Sequence, residues 1–270
     1  MVAGAMQLIN WVGYQQPSPT GVGCDSVLMC PGEDLLYEVS WWVFKLGQIR
    51  VKTLESKRKD GELRYTAAAF VDSYEGLPFV DLHAIDYTEM DTAFYSRGFN
   101  SLEKKNDRWL YEISHYDLPN KMLIIEKAWQ KDPQSSPESP HKFDTVRIAE
   151  ATVQDGLSIL YFARANIRRN QTVRVPTVVY GRPGFTECRF RKEKNVEEID
   201  AFKKPVRVVE LEGRAEFEGI FGLTGDFMGW FSDDAAAVPI KAEMQVILGS
   251  INIELKKWER KGWDPPLEQD

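Results

Sequence analysis

At 270 residues, 43% of them hydrophobic and 12% aromatic, the chain has enough apolar material for one large β domain or two smaller ones. Its 34 basic and 41 acidic residues give a net charge of −7 without a basic block, a poor match for nucleic acid or for docking on anionic lipid. No run approaches the roughly 20 apolar residues of a membrane helix.

The first residues, Met1 to Tyr14, contain Met6, Leu8, Ile9, Trp11 and Val12 but neither the cationic start nor the continuous apolar run of a secretion signal. Two readings follow: a cytosolic protein, or the mature form of an exported one. Cys24 and Cys30 lie close together in a Gly/Pro-rich segment, and Cys188 stands alone. A Cys24–Cys30 disulfide in an oxidising compartment and three unrelated thiols are both open. No paired spacing supplies the four ligands of a zinc site. We expect an N-terminal arm over 1–30, a single β domain over 31–262 and a C-terminal tail over 263–270.

Strand signals dominate from there. Leu35 to Phe44 is aromatic and β-branched, and Gln48 to Lys57 alternates Ile49, Val51 and Thr53 with Arg50 and Lys52. Lys59-Asp60-Gly61 predicts a tight hairpin. The returning strand, Glu62 to Asp72, places Leu63, Tyr65, Ala67, Ala69 and Val71 on one face. Arg108 to Asp117 and Lys121 to Trp129 flank a Leu118-Pro119-Asn120 turn. Lys131 to His141 is polar and proline-rich, an expected exposed loop. In Thr152 to Ile167, the residues Leu157, Leu160, Tyr161 and Arg164 fall at helical spacing, and Asp155 can cap the start. Thr172 to Tyr180 and Phe185 to Lys192 flank an expected turn at Gly181 to Gly184, and Pro205 to Glu212 is another alternating run. The last hairpin pairs Val238 to Val246 with Ile251 to Lys256 about a turn at Gly249-Ser250.

About a dozen strands and one helix predict a mostly β fold. The expected architecture is a strongly curved antiparallel sheet, either a half-open barrel or two packed sheets, with the helix closing one opening. Such a sheet has a concave face, where small ligands sit.

Three segments together resemble a known family. They are Pro31-Gly32-Glu33-Asp34-Leu35-Leu36-Tyr37-Glu38-Val39-Ser40-Trp41 with Lys45-Leu46-Gly47, then Asp155 to Arg164, then Trp230 to Asp234 with Val238-Pro239-Ile240 and Leu248 to Ile251. In this order they resemble the signature of domain-of-unknown-function family 3108, bacterial proteins usually described as exported. The resemblance spans roughly residues 31 to 256. It implies a mostly β fold and a periplasmic or outer-membrane-associated location. It brings no activity, cofactor or catalytic residue, and kinship with curved-sheet lipid carriers of the periplasm is an analogy of fold. It also makes Asp155 a helix cap and Arg164 the partner of a strand carboxylate or carbonyl.

Chemistry-bearing sets are weak. Asp81, His83 and Asp86 offer an unspecific metal spacing, and His115 and His141 are isolated. No Gly-x-Ser-x-Gly elbow occurs, and Cys188 reads as mid-strand. Asp233-Asp234 reads as a polar strand end, and Gly219, Gly222 and Gly225 as kinks of a bent sheet rather than a phosphate loop. We therefore assign no catalytic residue, metal or cofactor. The aromatics are the informative set. Tyr37, Trp41, Tyr65, Trp109 and Trp230 are the candidates to line a ligand cavity, against the plain alternative that they fill core. The expected function is an exported cell-envelope β protein that binds or carries a lipid or other apolar molecule. The alternatives are a structural or interaction protein of the envelope without ligand, and a polysaccharide-acting enzyme of unrecognised type.

Overall fold

The structure, a computed structural model, describes residues 27–77, 81–216, 225–246 and 249–268. Among them, fourteen antiparallel strands form one sheet, and one helix crosses its inside. The strands are β1 (Asp34–Trp41), β2 (Phe44–Lys59), β3 (Glu62–Ser73), β4 (His83–Met90), β5 (Ser96–Lys105), β6 (Arg108–Asp117), β7 (Met122–Gln130) and β8 (Glu138–Arg147). After the helix α1 (Ser158–Asn166) come β9 (Gln171–Val179), β10 (Arg182–Glu197), β11 (Val206–Ala215), β12 (Gly225–Ser232), β13 (Pro239–Val246) and β14 (Gly249–Glu259).

The order across the sheet is β8-β7-β6-β5-β4-β3-β2-β1-β14-β13-β12-β11-β10-β9. Two meanders therefore meet where the first strand pairs with the last, and the sheet ends on β8 and β9. It is a single open sheet, so the two-sheet alternative falls. It also curls past closure. Tyr180, at the β9–β10 turn, packs edge-on against Phe99 of β5 at 6.4 Å and donates its hydroxyl to Asp86 of β4. A Cβ on Gly181 would lie 2.6 Å from Ile125 of β7. The β9 edge thus tucks inside the arc of β4–β7, as in a scroll. The chain between β8 and α1 fills the seam: Ser96 N–H bonds Val153 O, and Gln154 exchanges two backbone bonds with β9.

Asp155 starts the helix as expected. Its Oδ1 accepts from the N–H groups of Leu157 and Ser158, and Ser158 Oγ accepts from the Asp155 N–H, a reciprocal cap. Arg164 forms a two-pronged pair with Glu33 at 2.6 and 2.9 Å and donates to Ala236 O. Glu33 also takes Arg260 and the Thr53 hydroxyl. The Pro31-Gly32-Glu33-Asp34 signature is therefore an anchor for α1. Burial pushes the Glu33 carboxyl up, but Arg164 and then Arg260 outweigh it and hold its pKa below the ordinary value.

Several boundaries differ from the sequence reading. The strand expected over Leu35 to Phe44 breaks at Trp42, which turns with φ +54°, so Lys45-Leu46-Gly47 lies inside β2. Trp41 faces Phe44 across that two-residue turn, and Trp42 is 74% exposed. The turn expected at Gly181 to Gly184 is Tyr180-Gly181, both at positive φ, and Arg182–Gly184 belongs to β10. Gly249 is not a turn residue: it pairs with Val246 inside the ladder. The loop expected over Lys131 to His141 ends at Pro137, because β8 starts at Glu138. An edge strand needs donors on one side only, which is why it accepts Pro140. At the other end of the chain, Trp263 donates to Asp234 and Leu267 bridges to Val206, so this segment rests on β11 and the turn between β12 and β13.

Candidate functional site

The concave face and α1 line a half-open cavity of about 330 Å³. That lies at the small end of ligand pockets. Its wall is almost wholly apolar and comes from ten strands, with Ile159, Leu160 and Ala163 of α1 as the roof. The roof residues face this way because Tyr161, on the opposite side of the helix, is bound to Thr53 at 2.9 Å and Arg164 is held by Glu33. Space remains because inward positions are small: Ala69 on β3, Ala163 on α1, Ala215 on β11, Gly229 on β12 and Ala242 on β13. A Cβ at Gly229 would already meet the Phe231 ring at 3.2 Å.

The polar groups in the wall are few. Thr177 and Thr186 bond each other at 2.9 Å, the Tyr37 hydroxyl donates to Pro239 O, and Lys241 pairs with Glu197 and Glu243. Asp86 is different. It is 3% exposed, its Oδ2 accepts a long bond from Tyr180 at 3.3 Å, and its Oδ1 has no partner. Burial first, then the neighbouring carboxyls of Asp155, Glu103 and Glu112, raise its pKa to about 8 against the pull of Tyr180. Cys188 also lines the wall as a free, buried thiol whose pKa burial raises to about 12, so it is inert at neutral pH.

One end of the cavity runs toward the β1–β2 hairpin. Ile49, Met244 and Ile253 of the wall pack with Leu46 around Val39 and Ile251. Beyond this cluster the hairpin presents Trp42, Val43 and Phe44, of which Val43 is 86% exposed. Trp41 stacks on Phe44 at 6.3 Å and tilts against Trp42 at 5.9 Å.

The five aromatic candidates are dispersed. Tyr37 lines the cavity. Tyr65 stacks on Phe94, which stacks on Tyr161, on the far side of α1. Trp41 belongs to the exposed hairpin. Trp109 is three residues from Glu112 on β6 and so faces away from the inner surface. Trp230 donates to Glu210 Oε1 and carries the Lys241 ammonium 4.8 Å above its ring, in a core role. Asp81 and His83 do not join Asp86: His83 pairs with Asp72 and Asp81, three residues along the strand from Asp86 and on its other face. Asp233 pairs with Arg168 and Lys194, while Asp234 caps the following turn through the N–H groups of Ala236 and Ala237. Cys24, Gly219 and Gly222 lie outside the described residues; Gly225, at φ +104°, opens β12. The sequence marks Asp86 only as a member of an unspecific metal spacing. The signal that could have found the cavity is the recurrence of alanine and glycine at inward strand positions.

Among the described residues, an open antiparallel sheet curled round one helix, with a half-open apolar chamber and an underpartnered acid in its wall, defines a β-scroll. The profile of DUF3108, described as proteins of unknown function, matches residues 36–256, and the chain belongs to that family. Among solved structures it is similar to a β-barrel-like protein of the domain of unknown function DUF1849 from Brucella abortus. That likeness has 9% identity and a TM-score of 0.54, over 87% of this chain and 99% of the other, and is one of fold. A Bacteroides fragilis protein with a YmcC-like fold, described as a candidate exported protein, aligns over 85% of this chain and 96% of its own at 9% identity and a TM-score of 0.30. No curated protein matches the chain. Among the described residues no helix is long and apolar enough to cross a membrane.

Proposed function

We propose that this is an exported cell-envelope β protein that binds or carries an apolar molecule, a lipid or another hydrophobic small molecule, in the chamber beneath α1. The observation that carries the reading is the chamber itself. About 330 Å³ stays open inside a sheet whose wall is apolar and whose own polar groups, apart from Asp86, are mutually satisfied. Close packing is the rule in protein interiors, and an open volume of this size removes contacts that the fold could have kept. Of the five aromatics, Tyr37 is the one we retain as a ligand contact. The periplasmic or outer-membrane-associated location, and the Cys24–Cys30 disulfide that it would permit, belong to the same proposal.

Native mass spectrometry of the purified protein, followed by organic extraction, tests it. An extractable apolar molecule, or uptake of the fluorescent probe N-phenyl-1-naphthylamine, is the expected result. Ala69→Phe, which pushes a ring into the chamber, should lower probe uptake at least about tenfold, a loss of about 1.4 kcal/mol of binding. A clean apo mass together with no probe uptake would overturn the reading.

A second reading has its own observation. The exposed Trp42-Val43-Phe44 hairpin tip suits a structural or interaction role in the envelope, with a partner covering the aromatics. Loss of partner capture on Trp42→Ser with Phe44→Ser, with probe uptake unchanged, would favour it.

A further inference from the structure

The inner face around Asp86 is acidic over three strands. Asp86 stands opposite Ser101 on β5, and Ser101 opposite Glu112 on β6, so these three share one face. Two residues along, on the same face, are Thr88 and Glu103. Thr88 donates to Asp155 at 2.6 Å. Glu112 Oε1, like Asp86 Oδ1, is buried without a partner; Lys127 binds Glu112 Oε2 at 3.1 Å and Lys105 binds Glu103 Oε1. Tyr180 reaches Asp86 from β9.

Neither protonation state of Asp86 satisfies it. As a carboxylate, its Oδ1 has no donor. As an acid, with Oδ2 accepting from Tyr180, the proton on Oδ1 has no acceptor. Buried polar groups in folded proteins have partners, and an exception calls for one from outside the chain. Asp86 lines the chamber, so a guest can supply it. The surrounding carboxyls of Asp155, Glu103 and Glu112 select the guest's sign. A carboxylate or phosphate placed there faces an acidic wall in which Lys127 and Lys105 offset only Glu112 and Glu103, whereas an ammonium can donate to Asp86 Oδ1.

We propose that the Asp86 end of the chamber is a subsite for the hydrogen-bond-donating head of an apolar ligand, an amine before a hydroxyl, and that it rejects anionic heads. The proposal rests on the ligand-binding reading above and adds the chemistry of the ligand's polar end. The alkyl chain lies along Ala69, Leu160 and Ala242, and its head meets Asp86 Oδ1 beside Tyr180. The raised pKa of Asp86 agrees: an ammonium in place would displace the proton that its carboxyl otherwise retains.

The test is a series of equal chain length, decylamine, decanol and decanoic acid, each displacing N-phenyl-1-naphthylamine from the full chain at pH 7.5. The expected order is amine, alcohol, acid, with at least a tenfold gap between first and last. Asp86→Asn should shrink the amine-to-acid gap to about threefold, and a far-UV circular dichroism spectrum with cooperative thermal unfolding shows that the variant is folded. The wild-type series decides the question even if that variant does not fold. Probe binding with decanoic acid as tight as decylamine, or a gap unchanged by Asp86→Asn, overturns the head-group proposal alone. Failure of the wild-type chain to take up probe or any of the three overturns the ligand reading beneath it.

Discussion

Two buried acids set opposite pH dependences on one fold. Asp86 keeps a proton up to about pH 8 in the folded chain, whereas an unfolded aspartate has lost it by about pH 4. Between those values the native state binds the extra proton, so stability declines as pH rises and levels off above about 8. Asp155 and Glu112, both raised chiefly by burial, act in the same direction. Glu33 acts the other way. Its lowered pKa contributes stability above the ordinary glutamate value, lost as acid protonates it. Thermal unfolding should therefore show maximal stability near about pH 5, a decline toward pH 8 and a steep loss below about pH 4. Asp86→Asn should flatten the decline, raising stability at pH 8 by on the order of 3 kcal/mol while leaving it nearly unchanged at pH 5. A parallel descent of wild type and variant would refute the assignment. At Arg164 the expectation is blunter. Arg164→Met leaves a buried Glu33 carboxylate with Arg260 and Thr53 alone, and urea unfolding should register a loss of about 3 kcal/mol. The family resemblance implies that Arg164 pairs with a strand carboxylate or carbonyl; that the partner is Glu33, just ahead of β1, comes only from the fold. Asp86 was not legible, since its role depends on Ser101, Glu112 and Tyr180, which only the sheet brings together.

Among the elements, the glycines separate turns from close approaches. A Cβ on Gly47 would sit 2.3 Å from the Asp72 carbonyl oxygen and 2.8 Å from Ser73 Cα, both backbone. Backbone cannot swing aside as a flexible side chain can, so Gly47→Ala should cost about 3 kcal/mol or more and loosen the β2–β3 ladder. Gly61, at φ +82° with nothing within 4 Å of its missing Cβ, should accept asparagine at under about 1 kcal/mol. Urea midpoints of the two variants test the contrast, and equal losses would contradict it. Lys45-Leu46-Gly47, which carries part of the family resemblance, lies inside β2, where Gly47 meets the β3 backbone. The turn before it, at Trp42-Val43, carries none of the usual turn residues. It follows from the β1–β2 register, with Trp41 opposite Phe44, and from Gly249, on which a Cβ would lie only 2.8 Å from the Trp42 indole nitrogen. Asp60-Gly61 was read correctly because both residues favour the positive φ that a two-residue hairpin needs.

Across the whole molecule, strand content follows from alternation, but closure does not. Period-two patterning says which residues face inward; it does not say that β1 will lie beside β14, about two hundred residues away, or that β9 will slip inside β4–β7. That topology predicts an uneven distribution of stability. β1 and β14 sit at the middle of the sheet, each bonded on both sides, with Leu35 and Leu255 fully buried. β8 is bonded on one side only and is exposed along almost its whole length, with Glu138, Lys142, Asp144 and Arg147 as charges that discourage pairing with another chain. Amide exchange should accordingly be slowest in β1, β2 and β14 and at least about a hundredfold faster in β8, a difference of about 2.7 kcal/mol in local opening. The tucked edge makes the sharper test. β9 is also terminal in the sheet, yet Gln154 bonds it from its free side and Val175, Val178 and Val179 are buried. If the scroll is right, β9 exchanges like an interior strand and β8 like an edge. Equal, fast exchange at both ends would mean that the sheet lies open and that the chamber beneath α1 has no wall on that side.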